Sequence, residues 1–92
     1  MKAEGKSVDR KKLLSRVIRG NLRNVAFADM VNLLAGFGFQ FARTRGSHHI
    51  YKHPGISELL NLQDVNGEAI PYQIRQFLRL VERHNLTLED DV

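Results

Sequence analysis

Around Gly38 the chain changes from one hydrophobic period to another, and this change limits the folds open to it. Before it, Met30, Leu33, Leu34 and Phe37 recur at three and four residues, the stripe of a helix face. After it, Phe39-Gln40-Phe41-Ala42-Arg43 alternates apolar and polar, the period of a half-buried strand. Thr44-Arg45-Gly46-Ser47 has the composition of a turn, and residues 48–53 return as a second strand. Pro54-Gly55 breaks that strand. Residues 56–63 then read as a third, with Ile56, Leu60 and Leu62 on one face, followed by the loop Asp64-Val65-Asn66-Gly67.

Helices flank this three-strand unit. One starts near Ala28, with Asp29 in its first turn where a carboxylate favours the positive helix end. Gly36 and Gly38 end it, Gly38 being the better left-handed closing residue. The last helix starts at Pro71, whose missing N–H has no partner at the first helical position anyway. Ile70, Ile74, Phe77, Leu78 and Val81 form its buried stripe, and it ends near His84-Asn85. A further helix opens the chain, with Asp9 as N-cap, an apolar face of Leu13, Leu14, Val17 and Ile18, and a stop at Gly20-Asn21. Arg10, Lys11, Lys12, Arg16 and Arg19 lie mostly elsewhere around that helix.

Three antiparallel strands cannot bury both faces alone. The order therefore predicts an α+β fold, a two-layer sandwich with a three-stranded antiparallel sheet and helices on one face. The expected division is a basic helical extension over 1–25, the α-β-β-β-α domain over 26–88 and an acidic tail over 89–92. Residues 1–7 read as disordered.

Composition excludes several function classes. The 92 residues contain no cysteine, so disulfides and thiolate metal sites are ruled out. The apolar runs are too short to span a membrane, and the basic N-terminus lacks the apolar core of a signal peptide. A cytoplasmic protein is expected. The net charge of +4 is unevenly spread: residues 1–25 carry +6, 26–57 carry +2 and 58–92 carry −4. A basic front with an acidic end points to a nucleic-acid partner.

The densest chemistry lies in Arg43-Thr44-Arg45-Gly46-Ser47-His48-His49-Ile50-Tyr51-Lys52-His53. It holds three cations and three of the four histidines, and no Asp or Glu occurs between Asp29 and Glu58. On a strand His48, Ile50 and Lys52 point one way and His49, Tyr51 and His53 the other. Four roles compete for these histidines. They can be structural. They can bind a metal, but His49 and His53 would stand about 13 Å apart, too far for one ion, and no metal or other cofactor is expected. The strip can bind phosphate, with Arg43, Arg45 and Lys52 as cations, backbone N–H groups reached past Gly46, Ser47 as a hydroxyl donor and Tyr51 stacking a base. Or a histidine can take the proton of a ribose 2′-OH, which attacks the adjacent phosphate while a cation stabilises the developing charge. A separate reading makes the basic helix over 9–19 the binding surface for an acidic partner protein.

Gly38-Phe39 followed by Arg43 to Pro54 resembles the signature of HicA-family toxins, over roughly residues 27–86. The resemblance implies a fold related to double-stranded RNA-binding domains, endoribonuclease activity on mRNA, and a HicB-type antitoxin partner. The catalytic histidine of the family's Gly-Ser-His motif falls on His48, and Gly46 and Ser47 match the same motif. A second copy of the chain is a further candidate partner. Two features depart from the family pattern. The basic N-terminal helix is additional, and the segment from Gln63 to Ile70 lacks the further histidine that commoner versions carry nearby. The alternative to the toxin is a non-catalytic RNA-binding module of the same fold.

Overall fold

Asp9 caps the first helix from the position its sequence predicts. Its Oδ1 accepts hydrogen bonds from the backbone N–H groups of Lys11 and Lys12, which have no partner inside the helix. In the computed structural model, which describes residues 9–89, the order is α1 (Arg10–Ile18), α2 (Phe27–Gly36), β1 (Gln40–Arg45), β2 (His48–Lys52), β3 (Leu60–Gln63) and α3 (Pro71–Arg83). The expectations for residues 1–7 and for Asp90 to Val92 fall outside the described residues.

The strands form one antiparallel sheet in the order β1-β2-β3. β1 and β2 are joined by Gly46-Ser47 alone, and Gly46 takes a φ of 62°. Glycine with positive φ at the first central position suits a two-residue hairpin, because that turn follows the twist of the strands. The helices pack on one face of the sheet, giving the predicted α+β sandwich of double-stranded RNA-binding type. Tyr51, Leu60 and Leu62 of the sheet share a core with Met30, Leu33, Leu34 and Phe37 of the α2 region and Ile74, Phe77 and Leu80 of α3. Leu13, Val17, Leu22 and Val25 are buried in that same core, and Arg10 binds the Asn32 side chain of α2 through two guanidinium nitrogens. The basic N-terminal helix therefore docks through Leu13 and Val17 and turns Lys11, Lys12 and Arg19 outward, while Ile18, expected on the buried face, is exposed.

Two expectations need correction. The third strand starts at Leu60, not at residue 56. Pairing with β2 stops at Tyr51↔Leu60, because the preceding chain turns tightly, with the Ile56 N–H donating to the His53 carbonyl. Beyond that turn Glu58 is drawn across to Arg83 and His84 at the end of α3. The buried stripe of α3 is also rotated. Leu80 and Gln73 are buried, whereas Leu78 and Val81 are only partly so and line an apolar groove with Leu14 and Ile18 of α1.

Candidate nucleic-acid interface

Cross-strand partners share a face of a sheet, so the pairing register sorts the strip between its two sides. Arg45 pairs with His48, Arg43 with Ile50 and Gln40 with Lys52; on the other side of β2, His48 pairs with Gln63 and Ile50 with Asn61. These residues form the face away from the helices. Tyr51 with Phe41 and Leu60, and His49 with Thr44 and Leu62, form the face toward them.

The bulge in β1 makes this sorting work. The register shifts between Phe41 and Arg43, leaving Ala42 without a partner. Without the shift Arg43 would lie on the face of Phe41. With it, Arg43 and Arg45 both join His48 and Lys52. The open face thus gathers all three cations of the strip. Arg45, His48 and Ile50 line a shallow depression there, with His48 half-buried and Arg45 exposed.

The three histidines of the strip differ in their partners: His53 engages both ring nitrogens, whereas His48 and His49 each engage Nδ1. His53 receives the Gly55 N–H on Nδ1 at 2.9 Å, which places its proton on Nε2, where it donates to the Phe37 carbonyl at 3.0 Å. Its ring also packs edge-on against Phe39 at 5.1 Å. A side chain on Gly38, whose φ is 91°, would lie 3.1 Å from that Nε2, so glycine serves both the helix end and the approach of the histidine. His49 donates from Nδ1 to the Ser47 carbonyl at 3.1 Å and lies against Phe27 at 4.8 Å and Phe41 at 6.4 Å. His48 alone stands on the cationic face. Its Nδ1 meets the Asn61 side chain of β3, 2.9 Å from Nδ2 and 3.2 Å from Oδ1. Its Nε2 takes no hydrogen bond among the described residues. The fourth histidine, His84, sits on Glu58 at 2.6 Å.

Tyr51 was expected to stack a base and does not have a free ring to do so. It is only 6% exposed, packs against Phe41 on the helix side, and burial raises its phenol above the ordinary value. A side chain at an odd position of β2 belongs to the core. Gly46 and Ser47 form the exposed hairpin tip beside Arg45 and His48. No group of three or more His, Cys, Asp or Glu suited to a metal ion is present among the described residues. The residue that sequence reasoning overlooked is Asn61. Its signal lay in Leu60-Asn61-Leu62, where alternation between two core leucines places the Asn61 amide on the open face.

The site is thus a half-buried imidazole within a cationic sheet face, on a small α+β sandwich. The class becomes specific through the sequence itself, since residues 27–82, more than half of the chain, match the family described as HicA toxin of bacterial toxin–antitoxin. The chain belongs to the HicA toxin family, and that family implies a HicB-type antitoxin as partner. No curated protein and no solved structure matches the chain. No helix among the described residues is long and apolar enough to cross a membrane.

Proposed function

We propose that this toxin is a metal-independent endoribonuclease of the cytoplasm that cleaves mRNA with His48 as general acid/base. The observation that carries the reading is the placement of His48, the one histidine of the strip on the open face, at a depression shared with Arg45. In the first step Nε2 takes the proton of a ribose 2′-OH. The 2′-oxygen attacks the adjacent phosphorus, and the bond from phosphorus to the 5′-oxygen breaks. The products are a 2′,3′-cyclic phosphate and a 5′-hydroxyl, the latter receiving its proton from the imidazolium or from water. Arg43, Arg45 and Lys52 hold phosphates and stabilise the charge that develops on the phosphoryl oxygens. Gly46 and Ser47 let the backbone of the hairpin tip approach the RNA.

Induced expression of wild type and of His48→Ala tests this reading. Growth arrest and mRNA decay are expected from the wild type only. Equal arrest from both would reject a catalytic His48.

One observation favours the alternative, an RNA-binding module without cleavage. No second imidazole shares the open face with His48, because His49 and His53 point to the helix side and His84 is held by Glu58. That module binds RNA with strong salt dependence and yields no cleavage products.

A further inference from the structure

We infer that Asn61 is a positioning residue for His48, one able to serve both protonation states of the ring. This rests on the reading of His48 as the acid/base. The contact is specific to the face: Asn61 lies on β3 opposite Ile50, two pairs along the ladder from His48 and on the same face, and reaches back diagonally to Nδ1. Both ends of its amide stand within hydrogen-bond distance of that single nitrogen, at 2.9 and 3.2 Å. An amide offers an N–H donor and a carbonyl acceptor that exchange places by rotation of the side chain.

Such a partner matches what acid/base work demands of the ring. When the proton is on Nε2, Nδ1 is bare and accepts from the Asn61 amide N–H. When Nε2 is bare and poised to take a proton, Nδ1 carries one and donates to Oδ1. The imidazolium formed after proton transfer donates to Oδ1 in the same way. The ring therefore keeps its anchor throughout while it lines the depression with Arg45 and Ile50. A carboxylate at this position would accept only, and would favour the charged ring.

The groups around the ring leave this task to Asn61. β1 supplies Arg45 as the direct pair partner and Arg43 beyond it, and β2 supplies Lys52 two pairs away. From β3, Gln63 is the direct partner of His48, but its side chain is engaged with Gln73 of α3, whose Oε1 in turn accepts the Gln63 backbone N–H at 2.6 Å. The next residue, Asp64, turns its carboxylate to the Gly67 N–H at 2.8 Å. The helices pack on the opposite face.

The test compares wild type, Asn61→Ala, Asn61→Asp and His48→Ala in RNA cleavage, together with an NMR titration of the His48 ring without RNA. Asn61→Ala should lower kcat on the order of ten- to a hundredfold, by analogy with loss of the partner that orients a metal-ligating imidazole, with KM nearly unchanged. Asn61→Asp should keep cleavage, but move the rising limb of the pH profile and the ring titration upward by about one pH unit or more, as an adjacent opposite charge does. An unshifted ring titration in Asn61→Asp overturns the inference. So does a loss in Asn61→Ala that appears in KM with kcat intact, since Asn61 would then contact RNA rather than act through the ring. Wild-type cleavage by His48→Ala would instead refute the acid/base reading, while the ring titration would still report whether Asn61 holds the imidazole.

Discussion

β2 is five residues long and presents two unlike faces. On one, His49 and Tyr51 lie with Leu60 and Leu62 against the helices, their rings packed on Phe27 and Phe41. On the other, His48, Ile50 and Lys52 lie with Arg43, Arg45 and Asn61. Adjacent histidines thus share a segment, its charge and its turn, yet only His48 lies on the face that carries Arg43, Arg45 and Lys52. The difference shows that local composition does not decide what a histidine can do. What separates the two is the layer toward which each side chain projects, since both rings engage Nδ1, His48 with Asn61 and His49 with the Ser47 carbonyl.

Five substitutions break or sharpen this contrast, from the largest expected effect to the smallest. Phe77→Ala removes a fully buried ring that packs on Phe37 and Phe39, and should cost about 3–5 kcal/mol in denaturant unfolding. A loss below about 1 kcal/mol would mean that the helix-covered side is not the structural one. His53→Ala deletes two hydrogen bonds and should cost about 1–3 kcal/mol, while cleavage per folded molecule stays at the wild-type level. Reduced cleavage at unchanged stability would move His53 to the functional side. Lys52→Ala and Arg45→Ala should leave stability within about 0.5 kcal/mol. Each should weaken RNA binding and reduce the slope of log affinity against log salt by about one. An unchanged slope would remove that cation from the interface.

The smallest effect concerns Glu58, whose carboxyl His84 and Arg83 hold below its ordinary value. A lowered folded value contributes stability above the unfolded pKa, and that contribution is lost as pH falls through the folded value. The group is at the surface, so screening keeps the contribution small. Thermal melts across the acid range should show wild type losing slightly more stability than Glu58→Gln. Parallel curves would contradict the contact.

Most of the fold was legible because each element carried its own punctuation. Asp9 at the cap of α1, Gly38 after α2, Gly46 in the hairpin and Pro71 at the start of α3 each mark a boundary by conformational preference. The side of the sheet on which His48 lies was legible as well, from alternation along the strand, whereas its choice over His49 came from the family resemblance. What escaped depends on contacts between distant parts of the chain. The unpaired Ala42 is a matter of register, and nothing in Phe41-Ala42-Arg43 announces it. The late start of β3 follows from the tight turn after β2 and is accompanied by Glu58 meeting Arg83, 25 residues away. Tyr51 looked like a stacking platform because an aromatic beside cations suits RNA, yet parity assigned it to the core. Asn61 sits 13 residues from His48, and its role emerges only when the two strands are paired.

The central claim is that His48 performs proton transfer on RNA, and purified proteins with end-labelled RNA test it most directly. The account predicts 2′,3′-cyclic phosphate products from wild type and from His49→Ala, undiminished by EDTA, and none from His48→Ala. Cleavage by His48→Ala at the wild-type rate would contradict it.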